Sequence, residues 1–261
     1  MTLPLILFHN QGRGRPIGGD GLSAYAIKVL TYSPIAYWQL NEKSGTDAIC
    51  SVNAAQNGTY ARDVSTMGTV TGIGDGNTAP TFDGTQDVVD VYSATLAAAY
   101  SQTTFTISVW FKVFNVGVWT DATNRKIARF YVDDNNQFGF YGAGNSTLYV
   151  VDEAGGTEVF MTDAGHAETG WVHAAITLDE VSNNIIFYLD GSVVDNDTNA
   201  GTWAGTIHSA ASVIGANNTT PTNPWHGHLA HPAIFTSVLT PTQILDSVSY
   251  THLTLPTTPY V

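Results

Sequence analysis

The sequence is dominated by short apolar runs that end at turn-forming residues, and this pattern restricts the chain to a β fold. One run, in FYLDGSVV (residues 187–194), stops at Asp190-Gly191, and a second apolar run starts at once. Asp-Gly between two such segments is a strong hairpin signal, because both turn positions require a positive φ. The stretch therefore predicts a tight antiparallel hairpin.

The same texture continues along most of the chain. Runs rich in β-branched and aromatic residues recur roughly every 8–15 residues, which is typical of an all-β sandwich. In TFTISVWFKV, Phe105, Ile107, Val109 and Phe111 are predicted to fill a core, whereas Trp110 is predicted to cover the opposite face. The other runs of this kind are DVVDVYS, IARFYV, FGFYG, TLYVV, WVHAAITL, IIFYLDG and SVIGA.

The organisation along the chain indicates one large domain with two flanking segments. Residues 1–22 are predicted to be a flexible N-terminal segment, and residues 23–247 to form a two-sheet antiparallel sandwich. SAYAIKVL is predicted to form one or two helical turns before the first strand. TPTQIL predicts a short C-terminal helix, with Thr240 as its N-cap and Pro241 at its first position.

The tail at residues 248–261 differs in texture from the rest of the chain. The codons GTC TCT TAT ACA CAT CTG ACG CTG CCG ACG encode residues 248–257 and match a transposon-type sequencing adapter. We therefore interpret residues 248–261 as adapter read-through and exclude them from functional reasoning. A genuine Thr- and Pro-rich tail is the alternative.

Charge and composition exclude some classes of partner. The chain has 22 acidic and 9 basic residues, giving a formal net charge of -13, which disfavours nucleic acid and anionic membranes. No stretch approaches the roughly 20 apolar residues of a membrane span, and the single Cys50 excludes an internal disulfide. MTLPLILF lacks a basic flank and a cleavage site, so we expect no signal peptide. A virion or an extracellular surface is the expected location.

Several segments, in order, resemble the laminin G-like branch of the concanavalin A-like sandwiches. The resemblance implies a jelly-roll arrangement of the two sheets over about residues 25–247. The segments are PIAYWQLNEKSGT (34–46), NGTYARD (57–63), PTFDGTQDVVDV (80–91), FTISVWFK (105–112), GWVHAAITLD with NNIIFYLDGSVV (170–194), IGA (214–216) and GHLAHPAIFTSVLTPTQI (227–244).

Calcium is the cofactor that this resemblance leaves open. Many laminin G-like domains bind calcium, and an Asp in the loop before the second strand often belongs to that region. Cys50 occupies the corresponding position here, which puts the family's site in doubt. Asp87, in GTQDVV, is the remaining acid in a matching block and is our candidate calcium ligand, with a solvated loop acid as the alternative.

The sequence disfavours catalysis. Relatives on this scaffold include glycoside hydrolases, which need two carboxylates about 5–5.5 Å apart for a retaining mechanism. No Glu-x-Asp-x-Glu run is present, and adjacent pairs such as Asp152-Glu153 would point to opposite faces of a strand. We therefore predict that the chain is not an enzyme.

The favoured function is a non-catalytic module that recognises carbohydrate or a protein surface, as a phage structural protein or a secreted surface protein. The candidate ligand-binding residues are the loop aromatics Trp119, Trp203 and Trp225, together with His226. An exposed indole suits the C–H face of a sugar ring, whereas the alternative is that each indole plugs a loop against the sheet. A structural spacer without a ligand, a homo-oligomer and an unusual hydrolase are left open.

Overall fold

The structure is a computed structural model that describes residues 22–61, 66–101, 103–198 and 201–249. The strands are β1 (Ala36–Tyr37), β2 (Asp47–Ala48), β3 (Gly58–Ala61), β4 (Thr66–Thr71), β5 (Thr78–Asp83), β6 (Val88–Asp90), β7 (Thr104–Val113), β8 (Arg125–Asp133), β9 (Asn136–Ala143), β10 (Thr147–Ala154), β11 (Thr157–Ala164), β12 (Val172–Asp179), β13 (Asn184–Leu189), β14 (Ser192–Asp197), β15 (Val213–Ile214) and β16 (His226–Phe235). The helices are α1 (Ala24–Thr31), α2 (Ala94–Ala99) and α3 (Pro241–Ser249).

The strands form two antiparallel sheets. Sheet one has the order β14-β13-β12-β7-β16-β5-β4, and β1 also pairs with β16. Sheet two has the order β11-β10-β9-β8-β15-β6-β3-β2. The strand order is far from the chain order, as jelly-roll crossovers require, so the predicted all-β two-sheet sandwich is confirmed.

The main core lies between the two sheets and is built by every-other-residue burial. On the central strand β7, Phe105, Ile107, Val109 and Phe111 all point into this core, as the alternation predicts. Phe138 and Phe140 of β9 face them from sheet two, and the rings of Phe105 and Phe138 pack edge to face at 5.6 Å. Burial of this aromatic set is the main force that holds the sheets together.

The predicted hairpin is confirmed. Asp190 and Gly191 lie between β13 and β14 with φ of 47° and 80°, which are the two positive values that the turn requires. The Asp190 carboxylate also accepts a hydrogen bond from the His173 amide at 2.8 Å. The turn residue therefore joins its own hairpin to the neighbouring strand β12.

A helical layer covers the outer face of sheet one. Helices α1 and α3 contact each other there, and Lys28 forms an ion pair with Asp246. Tyr25 and Ile244 pack with Trp110 in a second cluster, separate from the core between the sheets. The prediction that Trp110 covers the second face of its strand is therefore confirmed, and the molecule has three layers where the sequence predicts two.

The C-terminal helix begins where its sequence predicts. Gln243 N donates to Thr240 Oγ1 at 3.2 Å, while Thr240 N donates to Gln243 Oε1 at 2.8 Å, which is a reciprocal capping box ahead of Pro241. The helix continues through Ser249. The predicted N-terminal segment and tail lie outside the described residues, apart from Leu22, Val248 and Ser249.

None of the helices in the described part of the chain has the length and apolarity of a membrane span.

Candidate functional site

The three tryptophans predicted to bind ligand are buried. Trp225, Trp119 and Trp203 have relative exposures of 0%, 1% and 4%, and all three belong to the core between the sheets. The prediction that they present exposed indole faces is wrong, because each indole points inward from its loop and packs in the core. Ligand binding by these residues stays a prediction, and stacking on them would require the loops to open.

Two of these indoles support one hairpin from inside. Gly142 of β9 faces the core, and a Cβ built on it would lie 3.3 Å from the Trp119 ring and 3.4 Å from the Trp225 ring. Both rings also pack edge to face on Phe111, at 6.3 and 5.7 Å. The absence of a side chain at Gly142 therefore lets two tryptophans pack directly beneath the turn between β9 and β10.

The third indole is bonded to a buried acid. Trp203 Nε1 donates to Asp152 Oδ1 at 3.0 Å, and Glu180 accepts from the Trp203 amide at 2.9 Å. Burial raises the pKa of Asp152 to about 8, and the charge of Glu180 adds to the increase. Trp203 is therefore part of an internal polar contact beneath sheet two.

His226 is half-buried at the start of β16. Its ring stacks on the exposed Phe114 at 4.8 Å with the planes 15° apart. Burial lowers the pKa of His226, and the positive charge of Arg125 lowers it further. Of the four predicted ligand-binding side chains, this one is partly accessible, and its role in binding stays a prediction.

Asp87 is fully buried and closes a turn. Its Oδ2 accepts a hydrogen bond from the Asp83 amide at 2.8 Å. The Asp83 carboxylate is itself bonded to the amide and the hydroxyl of Thr85, at 2.7 and 2.6 Å. Across the described ranges, no three His, Cys, Asp or Glu side chains are grouped as metal ligands. Asp87 Oδ2 is thus bonded to a backbone amide of its own turn, and calcium binding by Asp87 stays a prediction.

An open cavity of about 440 Å³ lies at one end of sheet two. Tyr141 and Tyr149 stand directly opposite each other in the register of β9 and β10, and their rings stack at 5.0 Å with the planes 8° apart. Asn145 donates from its side-chain amide to the Tyr149 hydroxyl at 3.3 Å. The cavity is lined by Ala122, Asn124, Tyr141, Gly144, Asn145 and Tyr149. We call it the tyrosine cavity.

The tyrosine cavity forms because a hairpin turn contacts a neighbouring loop. Gly144 O accepts from the Ala122 amide at 3.1 Å, and Ser146 N donates to the Trp119 carbonyl at 2.6 Å. A Cβ on Gly144 would lie 2.3 Å from the amide nitrogens of Ala122 and Thr123, so the contact requires glycine. The cavity wall is therefore held by backbone contacts.

One cationic side chain adjoins the tyrosine pair. Lys126 Nζ lies 3.9 Å above the centre of the Tyr141 ring, which is a cation–π contact. Since β8 and β10 flank β9, Lys126 and Tyr149 occupy opposite faces of Tyr141. On its other side Tyr149 is opposite Thr162 in the register of β10 and β11, and no ring or cation among the described residues contacts that face. Its aromatic face and the nearby amides suit a ring with apolar C–H bonds and hydroxyl groups.

The sequence alone does not single out these residues. Tyr141 and Tyr149 lie in runs predicted to be strands, and alternation places Tyr141 on the face away from Phe138 and Phe140, and Tyr149 on the face away from Leu148 and Val150. The missing step is the pairing of β9 with β10, which brings the two rings together. A Gly-Asn-Ser turn between two such runs was the available signal for that hairpin.

The fold is that of a concanavalin A-like sandwich. Residues 83–245 match a laminin G family model of the concanavalin A-like lectin/glucanases superfamily. The chain belongs to this family, and the resemblance stated from its segments is confirmed. A search of curated protein sequences found no match.

Solved structures share the fold at low sequence identity. The chain is similar to the botulinum neurotoxin serotype D binding domain, with a TM-score of 0.62 and 12% identity over 85% of this chain and 52% of that one. It is also similar to domain 4 of AbnA, a GH43 extracellular arabinanase from Geobacillus stearothermophilus, in complex with arabinotriose. That match has a TM-score of 0.58 and 18% identity over 82% and 98% of the two chains. The chain spans about half the length of the toxin domains that it matches.

Proposed function

We propose that the chain is a non-catalytic recognition module that binds carbohydrate in the tyrosine cavity, as part of a virion or a secreted surface protein. The observation that carries the proposal is the stacked pair Tyr141 and Tyr149 in an open cavity with amide groups at its rim. The cavity volume of about 440 Å³ lies within the range of small-molecule sites.

The rigidity of the site supports this proposal. The tyrosines stand on paired strands, and the turn beside them is held by Trp119 and Trp225 beneath Gly142. A preformed aromatic platform loses little conformational entropy when a ligand stacks on it. A domain of an arabinanase with the same fold was solved with arabinotriose, which is consistent with sugar binding on this scaffold.

The positions of the acids support a non-catalytic role. Asp152 points into the core and is fully buried, whereas its neighbour Glu153 lies on the outer face of the same strand. The cavity lining contains no carboxylate. A general acid and a nucleophile on one sugar would both have to reach the cavity from elsewhere.

The test is a glycan array probed with the whole chain, followed by calorimetric titration of the strongest ligand. We expect Tyr149→Ala to weaken binding by up to about tenfold, because stacking on an aromatic ring contributes ~0.5–1.5 kcal/mol. Asn145→Ala, at an exposed rim position, should weaken it as well. Tyr92→Ala, which removes a half-buried tyrosine outside the cavity, is the matched control.

Thermal melting of each variant checks that it is folded. Binding to no arrayed glycan overturns the proposal and leaves two alternatives, a protein surface as the partner or a spacer role without a ligand. Unchanged affinity in both Tyr149→Ala and Asn145→Ala also overturns it.

A further inference from the structure

The segment that leaves β11 places a histidine between two carboxylates. In residues 163–168, which we call the histidine segment, His166 Nδ1 lies 2.6 Å from Glu168 Oε1. His166 Nε2 lies 3.2 Å from Asp163 Oδ2, a contact that is not aligned as a hydrogen bond. A neutral imidazole has one N–H and would turn a lone pair toward one of these carboxylates, whereas an imidazolium presents an N–H to both. The arrangement therefore fits the protonated ring.

The imidazole of His166 is shielded from water. The side chain is buried, and its ring stacks on the Trp119 indole at 4.9 Å with the planes 23° apart. Burial alone would lower the pKa of His166, but the hydrogen bond to Glu168 and the charges of Glu168 and Asp163 raise it above its ordinary value. The ring therefore loses its proton at a higher pH than an exposed histidine does.

The histidine segment holds the turn beside the tyrosine cavity. The amides of Gly165 and His166 both donate to the Ser146 carbonyl, at 2.8 and 3.0 Å. The Ser146 amide in turn donates to the Trp119 carbonyl at 2.6 Å. Ser146 directly follows Asn145, which lines the cavity. The histidine segment is therefore bonded, through Ser146, to the cavity wall.

Glu168 connects the far end of the histidine segment to the same indole. Its main-chain carbonyl accepts from Trp119 Nε1 at 2.9 Å, and its Oε2 accepts from the Ala167 amide at 3.0 Å. Loss of the proton from His166 would remove the charge from the bond to Glu168 Oε1 and leave two carboxylates with no cation between them. The contacts of the segment with Trp119 and Ser146 would weaken as a result.

The charged groups that face the His166 ring are the carboxylates of Glu168 and Asp163. In the segment that follows Trp119, Asp121 is paired with Arg125 at 2.6 Å. On the turn after β13, burial raises the pKa of Asp190, and the charge of Glu168 contributes to the increase. Asp190 therefore adds to the negative charge around Glu168, which favours a cation at His166.

We infer that His166 is a pH-sensitive switch for the tyrosine cavity: the imidazolium bridges Asp163 and Glu168 and keeps the turn at Ser146 ordered, whereas deprotonation in alkaline solution makes that turn less ordered and weakens glycan binding. The inference rests on the proposed function and adds a regulation of the same site. The effect is a change in the population of the ordered turn, within a domain that stays folded.

Amide hydrogen exchange on the whole chain, followed by NMR, tests the switch without any glycan. We expect the protection factor of the Ser146 amide to fall roughly tenfold between pH 6 and pH 9, the equivalent of losing about one hydrogen bond to a charged group. Protection factors remove the pH dependence of the chemical exchange rate itself. The amides of the central strand β7 are the internal reference and should keep their protection.

The variant His166→Gln keeps a donor toward Glu168 and removes the titration. Its Ser146 protection should be low already at pH 6 and independent of pH. Glu168→Gln removes one of the two acids that raise the pKa of His166, so the midpoint of the transition should move to lower pH. His208→Gln, at an exposed histidine, is the matched control and should keep the wild-type profile. Melting curves establish that all three variants fold.

The glycan array, probed with the whole chain at pH 6 and at pH 9, gives the functional readout. We expect binding to be weaker at pH 9 by up to about tenfold in the wild type and equal at both pH values in His166→Gln. Burial lowers the pKa of Lys126, which lies over Tyr141, to about 8, so Lys126 titrates in the same range. Lys126→Met should keep the pH dependence, which assigns it to His166.

The outcomes separate this inference from the proposed function. If Ser146 protection is equal at pH 6 and pH 9, or falls equally in His166→Gln, the switch is refuted whatever the array shows. If protection falls but glycan binding does not, regulation of the cavity is refuted. If no arrayed glycan binds at either pH, the proposed function is overturned, and hydrogen exchange still decides whether His166 orders the turn.

Discussion

Asp152 is an acid placed where water does not reach. Its Oδ1 accepts from Trp203 Nε1, and its Oδ2 has no hydrogen-bond donor among the residues that the structure describes. The buried Tyr100 hydroxyl nearby also lacks a partner. A charged carboxylate is costly in such surroundings, so burial raises the pKa of Asp152 to about 8 and keeps it protonated at neutral pH.

This burial predicts a stabilising substitution. The pKa of Asp152 is raised above its unfolded value, so its contribution to stability is greatest below about pH 4 and is lost as pH rises toward 8. Asp152→Asn keeps the acceptor for Trp203 and removes the titration. We expect the stability difference in favour of the variant to grow with pH by up to ~1.4 kcal/mol per unit.

Urea denaturation at pH 5, 6.5 and 8 measures that difference. Glu153→Gln is the control, because it removes a neighbouring carboxylate from the outer face of the same strand. Parallel pH profiles for the wild type and Asp152→Asn would contradict the prediction.

The sequence predicts correctly whether strand residues are buried, but not whether loop tryptophans are. Phe105 and Trp110 are placed correctly, since strict alternation determines which face a side chain takes. Trp119 and Trp225 are misplaced because their loop sequences do not show that Gly142 leaves room for two rings beneath it. Whether an aromatic side chain in a loop points inward depends on a cavity supplied by a distant strand.

The hairpin of β9 and β10 is the element on which the proposed site depends. Its turn contacts the segment that follows Trp119, through Gly144 and Ala122. Both sides of this contact are backbone, so a misfit there cannot be relieved by a side-chain rotation. One methyl group added at Gly144 would therefore disturb the shape of the cavity.

We expect Gly144→Ala to destabilise the domain by about 1–3 kcal/mol, the range for overpacked positions, and to weaken glycan binding. The added Cβ would lie 2.3 Å from two backbone nitrogens and would push the loops apart. Gly170→Ala is the control, because a Cβ there has no atom within 4 Å. Urea midpoints of the two variants give the comparison, and equal midpoints would exclude the proposed steric role.

Elements were predictable where the residue pattern is regular. The strand β7, the hairpin at Asp190-Gly191 and the capped start of α3 follow from alternation, turn chemistry and N-cap chemistry. The strands β4 and β11 were missed. In β11 the exposed Phe160 sits between the buried Val159 and Met161, so three successive apolar residues hide the period of two.

Two histidines, His173 and His231, are buried beneath the helical layer. His173 packs on Trp110 at 5.1 Å, and neither of its ring nitrogens has a hydrogen-bond partner within the described ranges. His231 forms a contact of 3.2 Å with Asp75 and one of 2.7 Å with the Tyr37 hydroxyl. The outer layer therefore packs on imidazoles as well as on apolar side chains.

This arrangement predicts acid sensitivity of the whole fold. Burial lowers the pKa of His173 to about 3, with the charge of His231 contributing, so its stabilising effect is complete above about pH 6.5 and is lost as pH falls. We expect the free energy of unfolding to fall by up to ~1.4 kcal/mol per pH unit between about 6 and 4.5. His173→Leu should flatten that slope.

Other histidines and Asp75 also contribute to the pH dependence of the free energy of unfolding. Burial lowers the pKa of His226 and His228, which adds to the same slope, whereas the acids beside His166 raise its pKa despite burial and oppose it. Burial alone would raise the pKa of Asp75, but its hydrogen bond to His231 brings the pKa below the usual range, so its stabilisation is lost only in stronger acid. His208→Gln, at an exposed histidine, is the control, and an unchanged slope in His173→Leu would refute the assignment.

The two-sheet architecture was predictable for the whole molecule because most of the chain has the pattern of short alternating strands and few segments have a helical pattern, so the strands bury most of their apolar faces against another sheet. The helical third layer was not predictable, because the sequence SAYAIKVL predicts helical turns but does not show which surface of the sandwich those turns cover. The predicted domain limits stay predictions.

The side-by-side packing of α1 and α3 determines how the domain can be attached to other polypeptides. Tyr32 donates to Asp246 at 2.9 Å, so the first and last helices meet on the outer face of sheet one. The tyrosine cavity opens on the other sheet. A carrier joined to the domain close to the start of α1 or the end of α3 would therefore lie on the side opposite to the proposed sugar-binding surface.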